Sequence, residues 1–182
     1  MMNTEEPSPP PYIPVLYDET HRGRWTMAPE IASMGHLANL TGYLEHHAPT
    51  TDGSFGICVA GGEGHFVSQT LYESIPEALR PALNTAEAGA TVEFSLSGGK
   101  ETAVGSVIMP IIFTNAITGS QFIVKLYALV LPNLLMGMFL SRNTLFNSFL
   151  KSEEWGGGKV TFICNFGNGP DVHIVHQLPA LH

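Results

Sequence analysis

Apolar positions in this chain fall in short runs divided by turn residues. The densest part lies between Val92 and Leu145. It begins with Val92-Glu93-Phe94-Ser95-Leu96, and Ser97-Gly98-Gly99-Lys100 then interrupts before the apolar run Val104 to Phe113. Thr114 to Gln121 is polar and turn-like, and a second apolar run extends from Phe122 to Leu131. Pro132-Asn133 breaks that run, and Leu134 to Leu140 closes the unit ahead of Ser141-Arg142-Asn143-Thr144-Leu145. β-rich runs separated by Gly, Asn, Thr and Ser clusters predict strands joined by hairpins. Ser97-Gly98-Gly99-Lys100 suits a hairpin tip, because glycine takes positive φ without steric cost. Gly137, alone in an apolar run, predicts a close approach by another backbone or side chain.

The flanks are read in the same way. Residues 1–50 form an N-terminal extension, and residues 51–182 form the main domain. Met1 to Pro14 is rich in Pro, Glu and Ser and reads as a loose arm, with Tyr12 to Tyr17 as one edge strand. Ile31, Met34, Leu37, Leu40 and Leu44 recur at helical spacing and predict a helix over Pro29 to His46, weakened by Gly35 and Gly42. Asp52-Gly53 reads as a turn. Phe55 to Ala60 is a buried strand, Gly61-Gly62-Glu63-Gly64 a tight glycine loop, and His65 to Ser68 extended chain. Gln69 to Leu83 predicts a helix or two short helical pieces split by Pro76 and Pro81. Asn143 to Leu150 is a short helix, and Trp155 with Gly156-Gly157-Gly158 makes a turn. Lys159 to Phe166 and Val172 to Val175 are terminal strands about the Asn168-Gly169 turn.

Composition narrows the fold class. A charged fraction of 13% beside 44% hydrophobic residues, with 19 glycines and 13 prolines, favours an all-β, β-dominated fold with one or two short helices. A formal charge of −8 with scattered Lys and Arg argues against nucleic acid or an anionic membrane as the main partner. Phe122 to Leu140 has the length of a membrane span. Lys125 and Pro132-Asn133 interrupt it, so two strands joined by a turn are expected, and no membrane partner. The start, Met1-Met2-Asn3-Thr4-Glu5-Glu6, has no basic n-region or apolar h-region, so an intracellular, cytoplasmic location is expected. Cys58 and Cys164 sit in apolar runs and read as buried thiols; their spacing assigns no disulfide.

Few residues offer chemistry by pattern alone. Asp52-Gly53-Ser54 follows no buried strand and reads as a turn with an Asp at its tip. Glu63 and His65 flank the glycine loop without a placed partner. His46, His47 and His65, or His173 and His176, invite a metal. However, His173 and His176 point to opposite faces of a strand, and no Cys or carboxylate completes a zinc pattern. Neither metal nor other cofactor is expected. Gly61-Gly62-Glu63-Gly64 lacks the Gly-Lys-Ser/Thr ending of a phosphate loop, and no Gly-x-Ser-x-Gly elbow signals a serine nucleophile.

Over Phe55 to Phe166 the order of elements resembles the retropepsin-like aspartic proteases of long-terminal-repeat retroelements. Ile57-Cys58-Val59 is similar to the strand entering the family's catalytic loop, and His65-Phe66-Val67-Ser68 to the strand leaving it. Ser97-Gly98-Gly99-Lys100 with Val104-Gly105-Ser106-Val107 resembles the flap and its return strand. Leu135-Met136-Gly137-Met138 resembles the second signature, whose glycine packs behind the catalytic loop. The resemblance implies a closed barrel, peptide contacts at the flap-like tip and Gly137, and a homodimer in which each subunit supplies one loop. The terminal runs Lys159 to Phe166 and Val172 to Val175 are apolar and β-prone and would otherwise be free edges, so such a dimer is expected to join partly through them.

The departure lies at the centre of that resemblance. Where the family carries Asp-Thr-Gly or Asp-Ser-Gly, this chain has Ala60-Gly61-Gly62. Two carboxyl groups sharing a proton act in that family as base on water and acid on the scissile carbonyl. Alanine does neither. The resemblance therefore implies an inactive pseudoprotease that binds a peptide or protein partner. Two alternatives remain: a true retroelement endopeptidase altered at its active site, which accounts for Ala60 better than for Gly61, and a structural, self-assembling β-protein.

Overall fold

A computed structural model describes residues 12–14, 25–28, 38–44, 54–94, 100–134, 137–167 and 169–177. Three strands come from the first 50 residues: β1 (Tyr12–Pro14), β2 (Trp25–Ala28) and β3 (Ala38–Leu44). β4 (Ser54–Glu63) and β5 (Phe66–Ser68) lead into helix α1 (Gln69–Ser74). Two single 3-10 turns, Glu77–Leu79 and Thr85–Glu87, follow. Then come β6 (Thr91–Phe94), β7 (Lys100–Thr102), β8 (Gly105–Thr114), β9 (Gln121–Leu131) and β10 (Met138–Ser141). Helix α2 (Arg142–Ser148) precedes β11 (Leu150–Gly156), β12 (Lys159–Cys164) and β13 (Val172–Gln177). The protein is strand-dominated, of the all-β class.

The β8–β9 hairpin is the backbone of the fold. Its register runs unbroken from Gly105↔Val130 to Thr114↔Gln121. The turn between them is closed by Asn115, whose N–H donates to Ser120 O (2.8 Å) and whose Oδ1 accepts from Ile117 N (3.1 Å). β8 buries alternate residues, Val107, Met109, Ile111 and Phe113, as a half-buried strand should. β9 is buried on both faces. Phe122, Val124, Leu126, Ala128 and Val130 enter the main core, while Leu129 and Leu131 join a second cluster with Phe66, Val92 and Ala103. Burial on both faces explains why its sequence reads as continuous rather than alternating.

Pairing around this hairpin places the rest. β3 pairs antiparallel with β8 and β4, β5 runs parallel to β9, and β10 pairs both β5 and β4. Thus β4, β3, β8, β9, β5 and β10 each pair two others of that set. From this set, β4 continues through β2 and β6 to β7. A separate three-stranded sheet, β11-β12-β13, docks where Asn115 Oδ1 accepts from His173 N (3.2 Å) and Ala116 N donates to His173 O (2.7 Å).

Three sequence expectations change here. The helix expected over Pro29 to His46 is, over its described part, strand β3; residues 29–37 and 45–46 lie outside the described residues. Leu40 and Leu44 satisfy a two-residue period as well as a helical one, and pairing on both sides with β4 and β8 decides between them. Gly61, Gly62 and Glu63 are the end of β4 rather than a loop, because β2 pairs with them; the turn is confined to Gly64-His65. Finally, Lys159 to Cys164 is no free edge: β12 is the middle strand, paired with β11 and β13. The flap-like tip Ser97-Gly98-Gly99 and the Asp52-Gly53 turn lie outside the described residues, although β6 and β7 on either side of the tip do pair antiparallel.

Candidate functional site

The site builds up from β4. Ile57, Cys58 and Val59 are fully buried, and their apolar run carries the chain to Ala60. β10 lies parallel beside it, with Met138↔Ile57, Phe139↔Cys58, Leu140↔Val59 and Ser141↔Ala60. On its other edge β10 pairs antiparallel with β5 (Met138↔Val67, Phe139↔Phe66). A strand from late in the chain is therefore inserted between two strands that are neighbours in sequence. Its end brings Ser141 to Ala60.

Ser141 then starts α2, and the first turn of that helix holds the segment after Ala60. As N-cap, Ser141 Oγ accepts from Thr144 N (3.3 Å) and donates to Gly62 O (2.6 Å). Thr144 Oγ1 accepts from Gly64 N (3.0 Å), and Asn143 Nδ2 reaches Gly62 O at 3.5 Å. Ser141 N donates to His65 Nδ1 (3.2 Å), and His65 O accepts from Leu129 N (3.0 Å). With Nδ1 accepting, a neutral His65 carries its proton on Nε2. Gly62 and Gly64 take φ of 97° and 86°, conformations that favour glycine.

Next to this lies an ion pair. Arg142 Nε donates to Glu153 Oε2 (2.8 Å) and Nη2 to Glu153 Oε1 (3.0 Å), while Trp155 Nε1 also donates to Oε1 (2.8 Å). The side chains of Arg142 and Glu153 are 18% and 10% exposed, so the bidentate pair ties α2 to β11 largely out of water. Burial pushes the Cys58 thiol up to about 11, against the opposing pull of Arg142, and burial pushes Cys164 up to about 12. Both cysteines are free thiols, and such protonated, buried groups are poor nucleophiles.

The geometry limits the chemistry. No ionisable group stands at position 60. The Ser141 hydroxyl donates its hydrogen bond to a backbone carbonyl, and it is the Ser141 amide, not the hydroxyl, that meets His65. A nucleophile–base pair needs the opposite arrangement. Among the described residues no three His, Cys, Asp or Glu converge on one point.

The residues singled out from sequence scatter. Ala60, Gly61 and Gly62 stand together at the end of β4. Lys100 opens β7, exposed, 3.9 Å from Glu93 across the hairpin. Gly137 is not beside Ala60: it meets the start of β4, where a Cβ would lie 2.7 Å from Phe55 Cδ2 and 3.0 Å from Gly56 O. The residue paired with Ala60 is Ser141. His46 and His47 lie outside the described residues, and His173 and His176 sit in β13 opposite Ile163 and Val160. Asn143 and Thr144 lie in the short helix expected from Asn143 to Leu150, but the pattern there gives neither them nor Ser141 a role at the site. The available signal was a serine directly after an apolar strand and directly before a helical run, the mark of an N-cap. No helix among the described residues is long and apolar enough to cross a membrane. Set against family models, curated proteins and solved structures, the chain matches none.

Proposed function

We propose that this chain is a retropepsin-like closed barrel that has lost peptide hydrolysis and binds an extended peptide or protein segment. One observation carries the reading: β10 is inserted between β4 and β5 and ends beside Ala60, the position where the resemblance puts the catalytic aspartate. The set of strands that each pair two others supports the barrel. The hydroxyl that the resemblance places at position 61 is missing, and Ser141 and Thr144 from α2 brace the segment instead. Without a carboxylate at 60 there is no base for water and no acid for a carbonyl. The free buried thiols accord with an intracellular, cytoplasmic setting.

The expected result with a broad peptide library at acidic pH is capture without cleavage. Pepstatin-sensitive cleavage overturns the loss of hydrolysis, and a library from which nothing is captured even at about millimolar peptide overturns the binding. Ala60→Asp alone is expected to remain inactive, since Gly61 also departs from the family's pattern. The reading also carries a homodimer, because one chain supplies one loop. Sedimentation at micromolar concentration should give a dimer, and a monomer throughout removes the two-loop arrangement.

A further inference from the structure

We infer that β2 is the resident ligand of the peptide slot, a segment of the chain's own N-terminal extension lying where an external peptide would bind. The inference rests on the peptide-binding reading above and adds what fills the site. β2 is held on both edges. It pairs antiparallel with the end of β4, at Thr26↔Glu63, Met27↔Gly62 and Ala28↔Gly61. It also pairs parallel with β6, at Trp25↔Val92, Thr26↔Glu93 and Met27↔Phe94. β6 in turn is the first strand of the hairpin whose tip resembles a flap. β2 therefore lies between the Ala60 segment and the flap-like hairpin, and it joins them.

Take β2 away and two strand edges face each other across a slot one strand wide. Their separation is about 9.5 Å, two strand spacings. Each edge then presents unpaired N–H and C=O groups, which an extended peptide satisfies by adding a strand. The chemistry on the β4 side suits a backbone reader. Opposite Met27 and Ala28 stand Gly62 and Gly61, so this edge offers main-chain groups with no Cβ in the way of an incoming chain. The ligand class follows: an unbranched, extended peptide without proline at the paired positions, recognised chiefly through its backbone.

Tethering explains why β2 holds the slot. A segment joined to its site acts at an effective concentration of about millimolar. A free peptide at micromolar concentration competes poorly against it, and its apparent affinity falls by the fraction of molecules whose slot is vacant.

The test uses the full chain and a fluorescent peptide with the sequence of residues 22–30. Met27→Pro removes a backbone donor from β2 and should vacate the slot. The expected result is that M27P binds the peptide about tenfold or more tightly than the parent chain. Amide exchange at Gly61 to Glu63 should be slow in the parent, fast in M27P, and slow again when peptide is added. Should M27P lose its cooperative unfolding, T26G/A28G takes its place, weakening the strand while keeping every donor.

Equal binding by parent and folded variant overturns the inference, since β2 then does not fill the slot, yet leaves peptide binding intact. No binding of this peptide by a folded variant with exposed Gly61 to Glu63 amides also overturns it. Library capture by that folded variant, whose slot β2 no longer fills, decides whether peptide binding falls with it.

Discussion

Arg142→Ala is expected to destabilise the fold by about 2–4 kcal/mol, through the carboxylate it leaves behind. Glu153 is only 10% exposed on its side chain and accepts two hydrogen bonds from the guanidinium, at 2.8 and 3.0 Å. With the arginine gone, one hydrogen bond from Trp155 Nε1 remains to a charge mostly out of water. Removal of one partner from a buried pair costs more than removal of both, because desolvation of the survivor is no longer offset. Arg142→Met with Glu153→Leu should therefore recover much of the loss. Urea midpoints of the single and double variants check this. A single variant unfolding with the parent would mean that the pair contributes nothing and that α2 is held to β11 by packing alone.

Gly137→Val should cost about 1–3 kcal/mol, from crowding rather than from backbone strain. A Cβ added at Gly137 would lie 2.7 Å from Phe55 Cδ2 and 3.0 Å from Gly56 O, with Leu71 Cδ2 at 3.2 Å. The Phe55 ring can swing aside, but the Gly56 carbonyl belongs to β4 and cannot. Gly137 O also accepts from Ser68 N (2.9 Å), so a shift of the chain here loosens the entry to α1. Gly137→Ala should fall between parent and valine, and Phe55→Leu should relieve the alanine variant more than the valine one. Thermal melts of the parent and these four variants decide it. A valine variant melting with the parent would place Gly137 somewhere other than against Phe55 and Gly56.

How much the sequence disclosed follows from where each residue's partners lie. The runs Val104 to Phe113 and Phe122 to Leu131 agree within a residue with β8 and β9, because a hairpin pairs neighbours and its turn residues sit between them. The short helices at Gln69 and Arg142 were legible from local signals as well. Leu40 and Leu44 misled because their leucine spacing fits two periods, and the deciding partners, β4 and β8, lie elsewhere in the chain. Gly61-Gly62 read as a loop for the same reason: nothing in the local sequence announces β2. In the candidate site, the absence of a carboxylate at Ala60 was plain. The bracing by Ser141 and Thr144 was not, since it couples residues about 80 positions apart.

Insertion of β10 between β4 and β5 has a consequence for how the chain is made. A ribosome delivers β4 and β5 long before Met138 to Ser141, so the emerging chain carries two core strands with a gap where their shared neighbour belongs. Ile57, Val59 and Val67 wait there without Met138 and Leu140 to cover them. Closing that gap joins residues far apart in sequence, the kind of contact that slows folding, and the waiting edges are templates for wrong pairing. A nascent chain halted after Leu131 should thus engage chaperones and resist release, whereas one extended through Ser148 can seal itself.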